Sequence, residues 1–592
     1  MAMRFGLALF GLLWAGVAPA APADDFAAPA DDFAALLADH WAWWLRNHPE
    51  YATVLGERAH DAALTDLSVA AMDRNAAGAA ALRRRLAAIP RDALPEQDRV
   101  SADILDRMLA DDVEANRHAA RTVLFTTYAG YHSSFADLPR QLPLFTQADY
   151  ESWVSRMEAF PVAMDQMIAT TRMAIRQGWT QPCAVLDGFQ RTIDGNMIPA
   201  AGASPFMAPF ARRPAAIGAA EWAALKARAA AAVDDRVVPA FGRFGSFFTQ
   251  EYLPACAPTV SVSDRPGGRD YYLWRVRAET TTDLTPDQIH ALGLSEVARI
   301  RAEMEAVAKR AGFADRATYV AHLRSDPRYY AKTAEELMAA ASRQAKLADG
   351  WMPRLFGRLP RLPYGVAEIP AAIAPGTTTA YYMPGSATAG VAGTYYVNIS
   401  KLNERPLFEL PALTSHEAVP GHHHQIALQQ ELDLPAFRRH VAGFTAYTEG
   451  WGLYAERLGI EMGLYDTPER DMGRLSYEMW RATRLVVDTG LHWKGWSRDQ
   501  AIGYMLDNSA LSRANIEAEV NRYISWPGQA LGYKIGELRI RALRAEAEAA
   551  LGQRFDLRAF HDVVLESGAI PLDILEKRVR GWIAAQQREK AG

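Results

Sequence analysis

The chain has 592 residues, of which 49% are hydrophobic, 22% charged and 10% aromatic. That ordinary globular composition excludes disordered, collagen-like and coiled-coil readings. Lys and Arg total 64 against 69 Asp and Glu, a net charge of -5, which argues against a nucleic-acid partner because such a protein should carry a basic face.

Residues 1–20 read MAMRFGLALFGLLWAGVAPA. Arg4 is followed by an apolar run and then by Ala18-Pro19-Ala20, the order of a cleavable secretory signal peptide. The expected destination is the periplasm or the exterior. No Cys directly follows the apolar run, so no lipoprotein anchor is expected. No later stretch is apolar over the roughly 18 residues a span needs, so no membrane span is expected after cleavage.

Ala-rich stretches near Ala76–Ala87 and Ala219–Ala232 favour helix. Cys183 and Cys256 are the two cysteines; in an exported chain they could pair, and a disulfide and two free thiols stand level. Pro, Ser and Gly cluster at Pro254–Gly268, a candidate boundary. It divides the mature chain into a helical N-terminal lobe, 21–265, and a helical lobe with the chemistry, 266–592. Thr285-Pro286-Asp287-Gln288 is a helix start with a capping Thr, a first-turn Pro and a Gln three residues on. Val297, Ile300, Met304 and Val307 then recur at helical spacing. Thr377–Met383 and Thr394–Ile399, rich in Thr, Tyr and Val with Pro and Gly between them, predict a β-hairpin over 377–400. A last helix is expected from about Pro571.

The densest chemical signal is Thr414-Ser415-His416-Glu417-Ala418-Val419-Pro420-Gly421-His422-His423-His424-Gln425. Tyr447-Thr448-Glu449-Gly450-Trp451-Gly452-Leu453-Tyr454-Ala455-Glu456 and Pro527-Gly528-Gln529-Ala530-Leu531-Gly532-Tyr533-Lys534 follow. A catalytic zinc takes three protein ligands and leaves one position open. The familiar supply is His-Glu-x-x-His on one helix plus a later Glu. Here Pro420 occupies the place of the second His, and His422 arrives two residues late. Six residues of regular helix advance about 600°, so His416 and His422 would not share a face. Pro420-Gly421 can interrupt the helix and bring His422 back. Glu449 would then complete a His, His, Glu set, with Glu417 as general base. The choice between His422 and His423 stays open. Glu456, seven residues after Glu449, is the competing carboxylate and fits better as a hydrogen-bond partner of a ligand His. A plain cluster of polar His residues is the bland alternative.

These strings resemble the bacterial family catalogued as domain of unknown function 885, and through it zinc peptidases of the angiotensin-converting-enzyme and oligopeptidase type. Pro49-Glu50-Tyr51-Ala52-Thr53, Asp66-Leu67-Ser68, Thr285–Gly293 and His561–Leu575 carry the same resemblance. It implies a mainly α, two-lobed, zincin-like fold with a small β-sheet at a cleft. It also implies Zn2+ on His416, His422 and Glu449, Glu417 as general base, and a peptide substrate. Tyr533 is a candidate donor to the oxyanion, with a packed aromatic as its alternative. Lys534 and Arg539 read as solvated charges, or as contacts for a substrate carboxylate. The competing functions are a non-catalytic metal- or peptide-binding protein of the periplasm and a zinc hydrolase of a non-peptide amide or ester. Oligomeric state is not legible.

Overall fold

The structure, a computed structural model, describes residues 29–588 apart from 128, 199–200, 371–373, 375–377 and 388–389. The expected signal segment 1–20 and the first residue of the expected hairpin, Thr377, lie outside the described residues. The protein is mainly helical with one small sheet.

The Ala-rich segments are helical: α1 spans Val69–Ala87, with Ser68 capping Ala71 N, and α2 spans Ala219–Ala232. An aromatic and Met-rich core built from residues 125–252 includes Trp153, Met164, Phe206, Phe241 and Tyr252. Residues of the first helices, among them Phe33, Leu86 and Leu109, join a second core with Phe444, Trp451, Leu543 and Val564. That core spans both sides of the boundary expected near 265.

Cys183 and Cys256 form a disulfide, with Cα atoms 5.0 Å apart across a sequence separation of 73. Their segments also pair through backbone: Cys183 N donates to Ala257 O, and Ala257 N donates to Gln181 O, both at 3.0 Å.

Helix α3, Gly268–Thr280, precedes α4, Pro286–Arg310, which starts at the expected cap. Thr285 accepts from Gln288 N, and the Gln288 side chain accepts from Thr285 N. Its apolar stripe, Ile289, Val297, Ile300, Met304 and Val307, is buried. Further on lie α5, Leu410–Glu417; α6, His422–Glu431; α7, Thr445–Leu458; α8, Pro468–His492; α9, Arg513–Ser525; α10, Gly532–Leu551; and α11, Leu572–Arg588. Every residue of α8 from Met472 to His492 is buried, as expected of a helix enclosed by others.

Helices α7 and α10 touch backbone to backbone. A Cβ on Gly536 would lie 1.7 Å from Ala446 O, and one on Gly450 would lie 2.5 Å from the Cα of Gly536. Gly536→Ala should therefore destabilise the protein by about 3 kcal/mol through overpacking. Urea denaturation checks this; an unchanged midpoint would mean that the helices separate freely.

The sheet has the order β1-β3-β2, with β1 at Tyr364–Glu368, β2 at Ala380–Met383 and β3 at Gly393–Val397. β2 and β3 pair antiparallel and form the expected hairpin. β1 pairs parallel to β3 and was not predicted. One face of the sheet, with Tyr382 and Tyr395, lies toward α5 and α6; the other carries Tyr381 and Tyr396, whose rings stack at 5.0 Å.

Candidate metal centre

His416 sits on the last turn of α5, which stops at Glu417. Ala418 leaves helical geometry at φ -96°, ψ -111°, and α6 begins afresh at His422. The interruption is thus a full break between two helices. Gly421 is required there: a Cβ would lie 1.9 Å from His416 O. The turn folds back onto the end of α5, and Trp451 Nε1 holds it by donating to Pro420 O at 2.9 Å. This is how two His residues six apart come to face each other, with ring centroids 4.7 Å apart and planes at 85°.

Glu449, on α7, meets both. Its Oε2 lies 3.4 Å from His416 Nε2 and 3.4 Å from His422 Nε2. One ligand atom from each of the three residues falls within 4.8 Å of the others. Three atoms on a tetrahedral zinc at about 2.05 Å would be about 3.3 Å apart, close to both printed separations. Glu449 Oε2 is buried and has no hydrogen-bond partner among the described residues. A buried carboxylate oxygen facing two imidazole nitrogens in this way suits a shared cation. Gly452 makes room for the His416 ring, since a Cβ would approach its Cε1 to 2.8 Å.

The other ring nitrogen of His416, Nδ1, is 2.8 Å from Glu456 Oε1. Glu456 therefore stands behind the His416 ring, and Glu449 in front of it. Burial would lower the pKa of His416, but the nearby Glu449 carboxylate, the bond to Glu456 and the charge of Glu417 override this and raise it to about 9. Burial would raise the pKa of Glu449, yet His422 and His416 hold it well below the usual carboxylate range.

His423 is committed elsewhere. Its Nδ1 lies 3.0 Å from the Tyr382 hydroxyl, its ring packs on Tyr364, and burial lowers its pKa to about 4. His424 is fully enclosed against Phe356, and burial lowers its pKa to about 3. The geometry therefore groups His422, and not His423, with His416 and Glu449. Glu417 follows His416 directly and is half-buried, with Tyr395 among its electrostatic neighbours.

Tyr533 opens α10 beside Thr445, one turn before Glu449 on α7; the Cβ position of its neighbour Gly532 is 2.7 Å from the Thr445 side chain. Its ring lies over Arg484 at 4.2 Å, and its hydroxyl accepts from Arg522 at 3.2 Å. The expectation of a solvated Lys534 is overturned. The side chain is wholly buried, with Glu478 and Glu537 at 2.9 Å and Glu296 at 3.1 Å, because α4 and α8 cover that side of α10. Arg539 pairs with Glu576 at 2.6 Å. Sequence reasoning missed Tyr382 as the partner of His423; its strand was predicted, but nothing in the pattern pairs it with that ring.

The family model described as a bacterial protein of unknown function, DUF885, matches residues 49–579. A crystal structure of a candidate lipoprotein from Colwellia psychrerythraea is 28% identical, with a TM-score of 0.87 over 94% of this chain and 100% of that one. A candidate lipoprotein of unknown function from Shewanella oneidensis is 20% identical, with a TM-score of 0.69 over 93% and 99% of the two chains; at that identity the likeness is one of fold. No curated protein matches the chain.

Proposed function

The chain belongs to the DUF885 family of bacterial proteins, and from its site we propose that it is an exported zinc-dependent hydrolase, a metallopeptidase of zincin-like, two-lobed architecture. The observation that carries this reading is the joint placement of His416, His422 and Glu449 beside Glu417. Metal binding alone gives no reason for the Glu417 carboxylate at that position.

His416 and His422 would hold the metal through Nε2 and Glu449 through its carboxylate, with Glu456 fixing the His416 ring from behind. Bound there, zinc would acidify a water molecule to a pKa near 7 and polarise a carbonyl oxygen. Glu417 then takes the proton of the attacking water and returns it to the leaving amine. Tyr533 suits the oxyanion. Its oxygen already accepts from Arg522, so its own proton is left to donate, and a charge-assisted neighbour strengthens such a donor. Removing a donor of this kind costs about 3 kcal/mol of barrier.

Strand β2 supports an extended substrate. Asn398 N donates to Thr379 O at 3.0 Å, and alternation along an antiparallel pair turns the backbone groups of Ala380 and Tyr382 away from β3. They form an edge to which a peptide can add by main-chain hydrogen bonds. Export is read from residues 1–20, and the disulfide agrees with an oxidising compartment. Two solved relatives are described as candidate lipoproteins. For this chain the mass of the mature N-terminus checks cleavage near Ala20.

The direct test is zinc analysis of the purified protein, followed by a mixed peptide library read by mass spectrometry. Zinc-dependent cleavage is expected; hydrolysis confined to non-peptide amides or esters would move the substrate class, and binding without turnover would leave a binding protein. Zinc uptake should also depend on pH. Zinc would compete with a proton for His416, whose pKa its carboxylate neighbours raise to about 9. Affinity should therefore rise about tenfold per pH unit from 7 to 9 and level off above, with about one proton released per zinc at pH 7. Calorimetry in buffers of different ionisation enthalpy measures this, and a flat profile would count against the assignment of His416.

A further inference from the structure

Glu456 has a second partner besides His416. Arg481 Nη2 lies 3.1 Å from Glu456 Oε1, the same oxygen that faces His416 Nδ1 at 2.8 Å. All three side chains are buried: Arg481 is 4% exposed, Glu456 2% and His416 2%. Among the described residues, these two are the polar partners of the Glu456 side chain. Arg481 is itself held firmly. Its guanidinium carbon lies 4.4 Å from the Trp480 ring centre and 4.7 Å from that of Tyr477, and Nη1 donates to Tyr477 O at 3.3 Å. Aromatic rings and a carbonyl thus fix a planar fork, which fixes a carboxylate, which fixes an imidazole. Helix α8, which contributes no metal-binding candidate, is in this way joined to the metal centre.

We propose that Arg481 is a positioning residue for the metal centre, acting through Glu456 to set the orientation of the His416 ring. This rests on the zinc reading above. A buried carboxylate without its cation loses both compensating charge and a fixed rotamer, and outer partners of a ligand His govern how well that ligand binds. Arg is suited to the task in a way Lys is not, since its rigid fork can serve the carbonyl and the carboxylate at once.

The test measures zinc affinity by chelator competition, with thermal melting of the zinc-free proteins alongside. Variants are Arg481→Met, Arg481→Lys, Glu456→Gln and the double variant Arg481→Met with Glu456→Gln. Arg481→Met should weaken zinc binding about tenfold, and Glu456→Gln between about tenfold and 100-fold. The double variant should be no weaker than Glu456→Gln alone, because Arg481 acts through that carboxylate. Arg481→Lys should fall between wild type and Arg481→Met. If Arg481→Met folds poorly, Arg481→Gln replaces it in both backgrounds. Losses that multiply in the double variant, or Arg481→Met within twofold of wild type, would overturn the proposal and leave the zinc site standing. A wild-type protein that binds no zinc would remove the reading of the site itself, and this proposal with it.

Discussion

Glu417→Gln should retain its zinc and lose turnover by a factor of about 100 or more. Glu417 ends the same helical turn that carries His416, and on a helix the next residue points about 100° away. That direction would put it beside the proposed metal rather than on it, within reach of an attacking water, and it is half-buried, so a substrate could still approach. Gln preserves shape and hydrogen bonding but cannot take a proton, and lost general acid–base catalysis is worth roughly 100- to 10,000-fold. Zinc analysis and turnover on a peptide found by the library screen make the measurement. Lost zinc would make Glu417 a ligand, and full activity would move the base elsewhere.

His416→Ala and Glu449→Ala should each abolish tight zinc binding, a larger effect than the roughly 100-fold cost of losing an outer partner. A three-ligand site reduced to two cannot close the tetrahedral set. In Glu449→Ala two buried imidazoles also lose the carboxylate 3.4 Å from each. His422→Ala should behave alike and His423→Ala should not, because His423 faces Tyr382. Inductively coupled plasma analysis of the four proteins decides it. Zinc retained by both His416→Ala and Glu449→Ala would place the metal elsewhere.

What was legible in the sequence was mostly local. The start of α4 could be read because Thr285 and Gln288 satisfy each other's backbone within one turn. The β2–β3 hairpin could be read because its Thr, Tyr and Val runs are joined by Pro and Gly. β1 could not: its pairing is parallel and lies 29 residues down the chain, and Gly365 interrupts any alternation. The choice between His422 and His423 needed the break at Ala418–Gly421, whose geometry depends on Trp451 from a different helix. Lys534 was misjudged because nothing local to it reveals the carboxylates that α4 and α8 bring around it. Arg481 carried no signal at all, since its partner lies 25 residues earlier on another helix.

The bond between Cys183 and Cys256 makes the history of the chain matter. Closing a 73-residue loop removes disorder from the unfolded ensemble worth about 4 kcal/mol on the chain-entropy account. Protein made and kept in a reducing cytoplasm would lack that constraint and should be nicked sooner by proteases between the two positions than protein matured outside. Material prepared by the two routes, identical in sequence, should therefore differ in its first proteolytic fragments and converge once the thiols are oxidised.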